Sequence, residues 1–73
     1  MRTNIILFLS SEGAKPTEAV ERLKQLGFEV SIGKYDLSFE WNHTPSAEEI
    51  LELGDKVRSA LEGTNVIFKM HTE

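Results

Sequence analysis

Two amphipathic helical segments, a central pair of alternating segments joined through Gly33-Lys34, and apolar runs near both ends predict an α+β chain. The element order is strand, helix, strand, strand, helix, strand. Two β-α-β units sharing a hairpin give the ferredoxin-like split βαβ sandwich (βαββαβ). In it a four-stranded antiparallel sheet in spatial order 4-1-3-2 carries two helices on one face. Residues 1–73 read as a single domain of this kind, with short connections, no repeat and no linker.

The first strand, Thr3 to Ser10, is apolar on both parities, as expected of a central strand with both faces partly covered. Ser11-Glu12-Gly13-Ala14 breaks it. Pro16 stands at a first helical position, where its missing N–H costs nothing. Ala19, Val20, Leu23 and Leu26 then recur at helical spacing, Glu18, Glu21, Arg22, Lys24 and Gln25 form the wet face, and Gly27 ends the helix.

Phe28 to Ile32 and Tyr35 to Trp41 both alternate, and Gly33-Lys34 suits a two-residue type II′ turn. This register sets Ile32 against Tyr35, Val30 against Leu37 and Phe28 against Phe39, all on one face with Trp41. Glu29, Ser31, Asp36, Ser38 and Glu40 fall on the other. The second helix starts either with Thr44 as cap and Pro45 behind it, or with Ser46 as cap and Glu49 closing a capping box. It runs to about Glu62 with Ala47, Ile50, Leu53, Val57, Ala60 and Leu61 inward, and Gly63 ends it. The final strand, Asn65 to Met70, turns Val66, Phe68 and Met70 inward, because the other parity would bury Lys69.

Eight Lys/Arg against twelve Asp/Glu leave a formal charge of −4, which disfavours a nucleic-acid partner. With no cysteine there is no disulfide, thiolate chemistry or CxxC metal site. The longest apolar run, Ile5 to Leu9, is far short of a membrane span or a secretory signal core. The expectation is a cytoplasmic α/β sandwich with no membrane contact and no cofactor. The fold hosts many activities and assigns none. The CxxC of its metal chaperones and the first-loop arginine of its acylphosphatases are both missing from this sequence.

Function is therefore argued from position. Treating strands one and three as parallel neighbours puts their C-terminal ends, and the starts of both helices, at one edge. That edge would gather Ser10, Ser11, Gly13 and Lys15 with Asn42, His43 and Thr44 around free helix N–H groups, a setting for a small anionic ligand. The plainer reading is ordinary capping and turn chemistry, and Glu12 opposes an anion. The second candidate is the outer sheet face, where Ile6, Phe8 and Ile67 form an apolar patch suited to a homodimer or another protein partner.

Other constellations are weaker. Phe8 resembles the stacking platform of an RNA-recognition motif, but strand three presents Asp36, Ser38 and Glu40 where aromatic or basic residues are needed, and the two carboxylates would repel phosphates. Asp36 and Glu40 lie about 13 Å apart at about 3.3 Å per residue, too far to share one ion. His43 and His71 are expected at opposite edges, so no metal pair forms. Ser10 or Ser11 with His43 lacks an orienting carboxylate. The sequence thus favours a small non-enzymatic binding or regulatory module acting by protein association, with small-anion binding at the helix starts. The alternative is a small enzyme acting on an anionic metabolite there, with Lys15 and His43 as its charged groups.

Overall fold

A computed structural model of the protein describes residues 1–9 and 12–73. Its elements are β1 (Arg2–Leu9), α1 (Pro16–Gln25), β2 (Glu29–Val30), β3 (Leu37–Glu40), α2 (Ala47–Ala60) and β4 (Val66–Thr72). The strands form one antiparallel sheet in the order β2-β3-β1-β4. The fold is α+β.

Ile5 and Leu37 from the sheet meet Ala19 and Leu23 of α1 and Leu53 and Val57 of α2, with Phe28, Leu61 and Val66 completing the core. The helical stripes sort as their spacing dictates, although Ala47 is exposed and Ile50 and Ala60 are only half-buried. Arg22, expected on the wet face, instead donates to the carbonyls of Ala60 (3.0 Å) and Glu62 (2.7 Å) and pairs with Glu18. It thereby satisfies carbonyls left open at the end of α2 and ties the two helices together. At Gly27 the backbone has a φ of +110°, and a Cβ would come within 3.1 Å of the Phe39 ring. Both features require glycine there.

The inner sheet face also carries a polar chain. Trp41 Nε1 donates to Thr3 Oγ1 at 2.8 Å, and Thr3 Oγ1 lies 2.8 Å from Thr72 Oγ1. Thr3 is fully buried, so this chain crosses β1 with its polar atoms satisfied. Strand β4 runs two residues beyond its expected end because Arg2 and Glu73 exchange backbone hydrogen bonds at 2.9 Å in both directions.

The hairpin keeps its expected register, Val30 opposite Leu37 and Glu29 opposite Ser38, but its strands are shorter than the alternation suggests. Its outermost hydrogen bond runs from Ser31 N–H to Asp36 C=O. Asp36 N–H then bonds Ile5 C=O, and the Asp36 carboxylate accepts Leu7 N–H at 2.7 Å. A side chain has taken the acceptor role that the next β3 carbonyl would have filled, and the chain leaves the sheet. Gly33, at a φ of +111°, sits in an open bend rather than a tight two-residue turn. Consequently Val30 and Ile32 are not buried as their parity implies: they are 58% and 99% exposed. Tyr35 crosses to the outer face, where the alternation would have placed it inward.

Candidate functional site

The antiparallel pairing of β1 and β3 removes the shared loop edge. Arg2 lies opposite Glu40, and Trp41 N–H bonds Met1 C=O, so β3 ends where β1 begins. The loop after β1 leaves from the other end, where Leu9 pairs with Val66. Gly13 and Lys15 therefore sit far from Asn42, His43 and Thr44, and α1 and α2 start at opposite ends of the sheet. Parallel pairing was the wrong premise, because each β-α-β crossover here skips one strand and leaves the neighbours antiparallel. Ser10 and Ser11 lie outside the described residues.

Each half has a structural occupation of its own. Lys15 N–H bonds Thr64 C=O at 2.8 Å, and Asn65 Nδ2 lies 3.5 Å from Gly13 O, which moors the β1–α1 loop to the start of β4. At the opposite end Ser46 caps α2 with a full capping box: Glu49 N–H donates to Ser46 Oγ at 3.2 Å, and Ser46 N–H donates to Glu49 Oε1 at 2.9 Å. His43 Nε2 lies 2.7 Å from Glu49 Oε2, and its Nδ1 lies 2.7 Å from Asn42 Oδ1. The Ser46 backbone N–H, then His43, hold the Glu49 carboxyl below its usual range. With both ring nitrogens engaged and its edge against Trp41, His43 is part of a helix cap. Lys15 and His43 lie at opposite ends of the sheet and are not brought into one site.

The histidines are also placed differently from expectation. His71 pairs opposite Asn4, toward the same end of β1 as His43. It nevertheless sits on the outer face, stacked near-parallel on Tyr35, whereas His43 stands beside Trp41. Among the described residues no group of three or more His, Asp or Glu side chains is gathered for a metal ion.

The outer face keeps what parity gave it. Phe8 and Ile67 are register partners on adjacent strands, 44% and 57% exposed, and Ile6 beside them is half-buried. Next to this patch lies an open cleft of about 270 Å³ lined by Ile6, Lys34, Tyr35, Lys69 and His71. The Tyr35 and His71 rings lie 6.5 Å apart at 12°, and Lys34 Nζ is 5.7 Å from the Tyr35 ring centre. Apart from Ile6, sequence reasoning missed this cleft. Its one available signal was Asp36, a short acceptor in mid-strand that offers the backbone an alternative to the ladder.

On the same side Arg2 pairs with Glu40 at 3.1 Å, and Asn4 Nδ2 donates to Glu73 at 3.1 Å. Arg2, Lys34 and Lys69 balance all but one of Glu29, Asp36, Glu40 and Glu73, so most of the chain's net negative charge lies outside the sheet, on the helices and their loops. Among the described residues no helix is long and apolar enough to cross a membrane. Comparison of the chain with protein-family models, curated proteins and solved structures finds no match.

Proposed function

We propose that the protein is a small, non-enzymatic binding module of the ferredoxin-like split βαβ class, and that its outer sheet face packs against a second copy of the same chain. The class is supported by the strand order, which reads β4-β1-β3-β2 from the β4 edge, and by the βαββαβ sequence of elements. The observation that carries the association is the exposed Phe8–Ile67 pair on the near-neutral side of an acidic molecule. Two copies meeting there bury apolar surface while keeping their acidic helices apart. A two-fold contact also needs a patch that matches itself, and an apolar pair meets that condition without matched charges. A chain of 73 residues buries a smaller share of its surface on folding than a larger domain does, so association adds burial where it is scarce.

Sedimentation equilibrium of the wild type and of the Phe8→Glu/Ile67→Glu double variant tests this reading. The wild type is expected to form a reversible dimer, and the variant to remain a folded monomer. A wild type that stays monomeric at every concentration, or a variant that still dimerises, overturns it.

A further inference from the structure

We propose that the cleft between Lys34, Tyr35, Lys69 and His71 binds a small anion carrying a planar apolar group, such as an aryl phosphate or aryl carboxylate. Three features lead there. Neither lysine forms an ion pair with any described residue, although the chain has an excess of carboxylates. No carboxylate lines the cleft, and that of nearby Asp36 is held by Leu7 N–H. Two lysines thus line one concave site, and the carboxylate beside it, Asp36, keeps its charge but is turned to a backbone N–H.

The second feature is the shape of the walls. Tyr35 and His71 are nearly parallel, but their 6.5 Å separation is at the far end of the range for offset stacking. The two rings and the Ile6 side chain line the same site, flat and apolar walls that suit a third flat group. The third is size: about 270 Å³ lies just below the usual range of small-molecule sites. A single ring with its charged substituent suits it better than a nucleotide.

The departure of the hairpin from regular pairing is what forms the cleft. Only because Asp36 takes the Leu7 N–H and ends the ladder do Lys34 and Tyr35 reach the outer face. Ile6 and Lys69 lie between this cleft and the Phe8–Ile67 patch, so the inference is tested on the monomeric variant as well, in which neither substituted residue lines the cleft.

Two-dimensional amide spectra of the full chain, titrated with phenyl phosphate, inorganic phosphate and phenol, test it. They are recorded on the wild type and on Phe8→Glu/Ile67→Glu. Phenyl phosphate is expected to give saturable shifts at Ile6, Lys34, Tyr35, Lys69 and His71 in both proteins, with weaker binding of phosphate and of phenol. Lys34→Gln and Lys69→Gln should each weaken phenyl phosphate binding about threefold, and together about tenfold. Tyr35→Leu should lower affinity for phenyl phosphate more than for phosphate. The proposal is overturned by an absence of saturable shifts at the cleft, by shifts centred on Gly13 to Ala19, or by binding that the double lysine variant leaves unchanged.

Discussion

The two faces of the sheet are built from the same strands, but one is closed and the other open. On the inner face Ile5, Leu37 and Val66 are buried against both helices, and Thr3, Trp41 and Thr72 satisfy one another in a closed chain. On the outer face Phe8 and Ile67 are left in solvent beside two lysines that pair with no carboxylate among the described residues. Surface that is closed in this way holds the fold together. Surface left open is where a partner or ligand can gain free energy, and the proposals above rest on that contrast.

The sharpest way to break the comparison is to shorten one apolar side chain on each side. Leu23→Ala should cost about 2–5 kcal/mol in urea unfolding, because the fully buried site cannot collapse around the loss. Phe8→Ala should cost about 1 kcal/mol or less in the monomer. Equal costs would mean that the faces do not differ. Next in size, Thr3→Val leaves Trp41 Nε1–H without its acceptor, an expected loss of about 1–3 kcal/mol with a shift in tryptophan emission. Arg22→Met keeps the apolar stem but frees the end of α2, at about 1 kcal/mol after allowance for the partial exposure of this arginine.

The smallest effect concerns pH. Glu49 has its folded-state pKa lowered, so its stabilising contribution is fully present above the ordinary carboxylate value of 4.5. That contribution is lost as pH falls through the lowered value. Acid unfolding followed by circular dichroism should therefore show Glu49→Gln less stable than wild type at neutral pH, with the difference shrinking on acidification. A difference that grows on acidification would contradict the cap.

Much of the inner face was legible because hydrophobic period reports burial. Ala19, Leu23, Leu53 and Val57 fell where spacing put them, and the register of Val30 on Leu37 followed from alternation about Gly33-Lys34. Alternation also placed Phe8 and Ile67 outward. It failed at the edge strand, where helix cover runs out and Val30 and Ile32 face solvent. The candidate loop site was lost because it rests on parallel pairing of strands one and three, whereas the antiparallel order 4-1-3-2 expected from the same sequence sets their C-terminal ends at opposite edges. The cleft stayed hidden because it depends on one non-local contact, Asp36 to Leu7 N–H, between residues 29 positions apart. That contact turns Tyr35 against its own parity.

The most direct test of the contrast between the faces is a two-dimensional amide spectrum followed on dilution from millimolar to low micromolar protein. Concentration-dependent shifts confined to Ile6, Phe8, Ile67, Lys69 and their strand neighbours, with the α1 and α2 amides unmoved, are the result the outer-face account predicts. Spectra that do not change on dilution, or changes centred on the helices, would contradict it.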